Sequence, residues 1–210
     1  TFEEMEAGIE EAHKASLKTA AHAQGPEGAR NAVLAGIYSI EHGVSLDEVT
    51  IEEMLKRNVF LVPTLSAPAN ILAMGEPAGI PHEFIVKTER LRDKHIESLL
   101  KARDAGVKIA MGTDAGTPFN LHGRNAAELV YMVETGFSAM EAIQCATATA
   151  AELLGMQQRM GSISPQKQAD LIILNGNPLD DMTLLLDKTN IISVFKSGEE
   201  FFHPKAAVTP

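Results

Sequence analysis

The chain has 210 residues, 45% hydrophobic and 22% charged, the balance of an ordinary globular protein with length for one good-sized core. A formal net charge of -10 leaves no basic stripe to neutralise phosphates, which argues against nucleic acid or an anionic membrane as partner. The single cysteine excludes an internal disulfide, and no apolar run reaches the roughly 18 residues of a membrane helix. A cytoplasmic protein acting on a small molecule fits these features, and homo-oligomerisation stays open.

Thr1-Phe2-Glu3-Glu4 reads as a helix N-cap followed by acidic residues, and Met5, Ile9 and Ala12 continue at helical spacing. Neither an initiator methionine nor a signal-peptide pattern precedes it, so the chain is expected to begin inside a domain. Residues 17–22 form a short apolar run that predicts a buried strand. Pro26 opens a helix over 29–34 that Gly36 stops, and 37–41 predict a second strand ending at His42-Gly43. The rhythm repeats with a helix over 46–58 and a strand over 59–62 closed by Pro63. Residues 66–81, rich in proline and glycine, read as an extended loop. A long helix over 83–104 ends at Gly106, and 107–111 predict a fourth strand running into Gly112-Thr113-Asp114-Ala115-Gly116.

Strands too apolar to alternate, separated by helices, predict an α/β fold with a parallel sheet. Four such strands make half of an eight-stranded barrel. Helices dominate 126–154, where Cys145 reads as a buried, small apolar residue. Beyond Gly161 the texture turns to β, with strands over 169–174, 191–195 and 200–203 forming a separate small layer.

His22, His42 and Asp114 each follow a predicted strand, at the end of a βα barrel where chemistry is done. Two imidazoles and a carboxylate converging there suit a divalent metal, zinc above all. His82, His95, His122 and His203 do not share that placement. His95 is expected in solvent, mid-helix among charges; His82 and His203, beside prolines, receive no role.

Ala21-His22-Ala23-Gln24-Gly25, Ser39-Ile40-Glu41-His42-Gly43 and Gly112-Thr113-Asp114-Ala115-Gly116 resemble the strand-5, strand-6 and strand-8 signatures of the amidohydrolase superfamily. The stretch 169–179 is similar to the segment by which these enzymes return to their β-sandwich. Residues 121–125 and 146–155 resemble the imidazolonepropionase-like and Xaa-Pro dipeptidase branch. The resemblance implies the C-terminal half of a (β/α)8 TIM-type barrel over 1–160 and a β-sandwich segment over 161–210.

It also implies a metal-dependent hydrolase of C–N bonds in a dipeptide, N-acyl amino acid or cyclic amide. His22 and His42 would bind one Zn2+, with one or two ions in all. Asp114 would contact the other ion and act as general base. Zinc lowers the pKa of bound water from 15.7 to about 7, and a carboxylate in reach takes the proton during attack. For His122 and Arg124 a substrate-binding role and a plain loop role both remain open.

The superfamily's strand-1 His-x-His is absent from this sequence, and no lysine can be assigned to its strand 4. The chain is therefore expected to be the C-terminal portion of such an enzyme. It would be silent alone, because His22 and His42 give two protein ligands where zinc normally takes three. A truncated, non-catalytic remnant is the competing reading. A phosphate-binding barrel would want a Gly-rich turn before the last helix, for which 121–125 is a poor candidate.

Overall fold

Three short strands, β1 (Ala20–Ala23), β2 (Ser39–His42) and β3 (Phe60–Val62), pair in parallel in chain order. The structure is a computed structural model and describes residues 1–202. The chain divides into two compact units, Thr1–Glu128 and one that begins at Leu129.

In the first unit each strand leads into a helix that crosses back. α1 (Phe2–Lys14) starts with a full capping box between Thr1 and Glu4. α2 (Pro26–Leu34) has proline in its first turn, where a missing N–H costs nothing. α3 (Glu48–Arg57) is capped by the Asp47 carboxylate, which accepts from Thr50 N–H, and ends at Asn58 in the left-handed conformation. Residues 66–81 are not the expected loop: α4 (Ser66–Met74) and a 3-10 turn (Glu76–Ala78) occupy most of them. Pro68 sits in the first turn of α4, among the N–H groups that have no intrahelical partner, so it does not oppose the helix. α5 (His82–Ala105) closes on Gly106.

The expected fourth strand is reduced to one parallel bridge between Leu61 and Ile109. Leu61 N–H donates to Lys108 O and Ala110 N–H to Leu61 O, each at 2.9 Å. The strand expected over 17–22 is also corrected. β1 starts at Ala20 and is an exposed edge, with Leu17 ahead of it 62% exposed. Its only partner among the described strands is β2, so its outer side lacks the cover that β3 receives. Ile40, Phe60 and Leu61 of the strands are fully buried, as are Val33, Met54, Leu99 and Ala102 of the helices. Each such apolar side chain contributes about 1.5–3 kcal/mol.

The second unit continues from α6 (Ala127–Glu134) through α7 (Ala139–Gln144), one π-helical turn (Cys145–Thr149) and α8 (Ala150–Leu153). Ser138 and Glu141 form a capping box on α7, and Cys145 is buried as expected. β4 (Leu171–Leu174), β5 (Ile191–Lys196) and β6 (Glu199–Phe202) form an antiparallel sheet in chain order. The last expected strand, 200–203, is met by β6; His203 lies outside the described residues. No helix among the described residues is long and apolar enough to cross a membrane.

Candidate active site

Parallel pairing brings the C-terminal ends of β1, β2 and β3 to one edge. The register sets His22 opposite Glu41 and Ala23 opposite His42. Both were expected just past their strands; instead His22 is the last but one residue of β1 and His42 the last residue of β2. Their rings meet edge to face, with centroids 4.5 Å apart and planes at 70°.

Asp114 follows the segment bridged to β3. Burial is the larger influence on both His42 and Glu41, and behind it the Asp114 charge acts to raise the pKa of each. Burial first, then His22, holds His42 below the usual imidazole range. Burial raises the Glu41 carboxyl against a hydrogen bond from Ser39.

The turn carrying Asp114 is tied internally. The buried Asn120 amide donates to the carbonyls of Thr113 and Asp114, at 2.5 and 3.1 Å. The Thr117 hydroxyl donates to Asp114 O at 2.9 Å. His122 lies over the same turn, its Nε2 3.5 Å from where a Cβ on Gly116 would stand. Both His122 and Arg124 are exposed.

The main chain at this edge is unusual. His42, Thr64 and Asp114 have φ of 73°, 54° and 53°. For residues other than glycine the left-handed region costs about 1–3 kcal/mol each, and for a β-branched threonine it is a true outlier. His42 ends β2, Thr64 follows β3 and Asp114 follows the segment bridged to β3, so the chain turns sharply after each. Gly43, with φ of 61°, has no such choice, since a Cβ there would stand 2.5 Å from Leu61 Cδ1.

Four supporting residues escaped the sequence reading. Thr64 Oγ1 lies 2.6 Å from His42 Nδ1 and donates to Pro63 O at 2.7 Å. His95 is not solvated, as expected, but 4% exposed, with Nε2 3.0 Å from His42 O. Burial lowers its pKa against its bonds to the His42 and Pro63 main chain. Ser98, one turn on, donates to Gly43 O at 2.7 Å and accepts from Leu46 N–H at 2.9 Å.

Glu128, fully buried, accepts from Leu65 N–H, Ser66 N–H and the Ser66 hydroxyl at 2.6–2.7 Å. It thereby fixes the turn that follows Thr64. Burial pushes its carboxyl up to about 7 against the pull of those three donors. The spacing of His95, Ser98, Leu99 and Ala102 is that of one helix face and could have revealed His95. Thr64 and Glu128 left no periodic signal.

The donor chemistry fits a divalent ion, since imidazole nitrogen and carboxylate oxygen both suit zinc. Among the described residues no group of three or more His, Cys, Asp or Glu side chains gathers closely enough to hold a metal. His22 and His42 are the two imidazoles that the strands bring together.

The family model described as "Amidohydrolase family" matches residues 1–201. Ochratoxinase of Aspergillus niger is 35% identical over 205 residues, 96% of this chain and 42% of that protein. Imidazolonepropionase of Kosmotoga olearia is 25% identical, over 96% of this chain and 45% of its own. The solved structure of a Xaa-Pro dipeptidase with bound methionine in its active site superposes with a TM-score of 0.85 and 39% identity. That superposition covers 96% of this chain and 48% of the other. The chain therefore spans less than half the length of these relatives.

Proposed function

The chain belongs to the amidohydrolase family, and from that premise we propose that its protein is a metal-dependent hydrolase of amide or peptide bonds in small substrates. The family is one of α/β enzymes of TIM-barrel type and is generally metal-dependent. Dipeptides, N-acyl amino acids and cyclic amides are the substrate classes proposed. Zinc is the proposed metal, as one or two ions, and the cytoplasm the proposed compartment. The sheet β4–β6 is proposed as a β-sandwich segment.

The observation that carries the reading is the edge-to-face pair of His22 and His42, with the Asp114 charge felt at the same strand ends. In the proposed site His22 and His42 hold the metal. When bound, the ion supplies a water acidified to a pKa of about 7 and polarises the scissile carbonyl. Asp114 takes a proton at its carboxylate and returns it to the leaving nitrogen. A positioned acid–base group of this kind contributes about 10²–10⁴-fold. The Asn120 amide and Thr117 hydroxyl hold the Asp114 main chain in place for that task. His122, over the same turn, is proposed to face substrate, and Arg124 to pair with a substrate carboxylate.

The test combines metal analysis with a hydrolysis panel of dipeptides, N-acyl amino acids and cyclic amides. Wild type, His22→Ala/His42→Ala and Asp114→Asn are compared. The double histidine variant should lose metal and turnover together, and Asp114→Asn should lose turnover. Unchanged metal content in the double variant refutes the assignment.

A further inference from the structure

We propose that Thr64 is a positioning residue that fixes the tautomer of His42, leaving Nε2 unprotonated as the nitrogen that faces a metal. The inference rests on the metal-site reading above and adds residues outside the ligand set. Its basis is a hydrogen count. A threonine hydroxyl has one proton. Thr64 Oγ1 lies 2.7 Å from Pro63 O, which can only accept, and 2.6 Å from His42 Nδ1. If the hydroxyl donated to Nδ1, two oxygen lone pairs would face each other at 2.7 Å in a buried site. If it donates to Pro63 O, it must accept from Nδ1–H. Only the second arrangement satisfies both contacts, and in neutral His42 it leaves the lone pair on Nε2.

The surroundings keep that arrangement rigid. Thr64 holds a left-handed φ of 54° although it is β-branched. Glu128 clamps the next two residues through Leu65 N–H, Ser66 N–H and the Ser66 hydroxyl. From the other side His95 bonds the main chain of both His42 and Pro63. One buried side chain of α5 thus ties together the two residues whose groups flank the Thr64 hydroxyl. Ser98, one turn further, secures Gly43 and Leu46. A ring whose Nδ1 is held by an oxygen acceptor, with its main chain pinned separately, is the outer-shell arrangement that orients metal-ligating histidines.

The full protein, metal-free and labelled with 15N at histidine, is placed at pH 8, where His42 is neutral. Two-bond nitrogen–proton correlations report which ring nitrogen carries hydrogen, and His42→Ala identifies the signal. The expected result is Nδ1–H in wild type and in Thr64→Ser, with the Nε2–H form gaining population in Thr64→Val. In parallel, Zn2+ affinity by chelator competition should fall about 10–100-fold in Thr64→Val and recover in Thr64→Ser. A wild-type His42 in the Nε2–H form overturns the proposal, as does a Thr64→Ser variant as weak as Thr64→Val. Should Thr64→Val fail to fold, the wild-type tautomer and Thr64→Ser still decide. A wild type that binds no Zn2+ refutes the metal reading, while the tautomer result judges Thr64 separately.

Discussion

Replacing Glu128 by glutamine should change how stability varies with pH, in a direction opposite to most carboxylates. The Glu128 carboxyl is fully buried, and burial pushes it from its ordinary 4.5 up to about 7. Between those values the unfolded chain has lost the proton and the folded chain still holds it. The stability tied to this raised pKa is therefore fully present below pH 4.5 and is lost as pH rises to 7. At 1.36 kcal/mol per pH unit the loss amounts to about 3 kcal/mol. Glutamine cannot titrate and has no such loss.

Glutamine also turns an NH2 toward the donors that the carboxylate accepts from Leu65 and Ser66. An unsatisfied buried group costs about 1–3 kcal/mol at every pH. Glu128→Gln should thus be less stable than wild type at pH 4.5, with the gap closing by about 3 kcal/mol at pH 8. Urea unfolding followed by circular dichroism measures this; the chain has no tryptophan to report by fluorescence. Other carboxylates titrate alike in both proteins and cancel. Parallel stability profiles, or a gap that widens with pH, would show that the three donors outweigh burial and refute the reasoning.

Gly43→Ala forces a Cβ to 2.5 Å from Leu61 Cδ1 at a φ of 61°; strain and overpacking together should cost about 2–5 kcal/mol in the same unfolding assay. Gly28→Ala, inside α2 with nothing within 4 Å of the new Cβ, should instead stabilise by about 0.5–1 kcal/mol. Cys145 is buried and its thiol is pushed up to about 12 by burial. It should resist iodoacetamide at pH 8 in the folded protein and take up one equivalent in urea, as mass spectrometry would read.

The βα rhythm was legible because β3 is apolar and buried at every residue and β2 is buried at Ser39 and Ile40. That same rhythm set His22, His42 and Asp114 at strand exits. Apolarity could not tell that β1 would lie at an edge, because that depends on what pairs beyond it. The helix over 66–74 was hidden by Pro68, whose effect depends on being in the first turn. His95 was hidden by the charges of α5, although its helical neighbours Ser98, Leu99 and Ala102 form a buried face. Thr64 and Glu128 act through a backbone angle and a three-donor clamp, and neither leaves a pattern in residue spacing.

The left-handed residues at the strand exits bear on how this sequence can change. At Thr64 and Asp114, asparagine or glycine would sit more comfortably in the same main-chain conformation. Selection for stability alone would drift toward those replacements, and each would remove the hydroxyl or carboxylate described above. A library screened only for thermal resistance should therefore enrich Gly or Asn at 64 and 114, while one screened for metal retention should exclude them. The two screens would pull the same positions apart, as stability–activity trade-offs do.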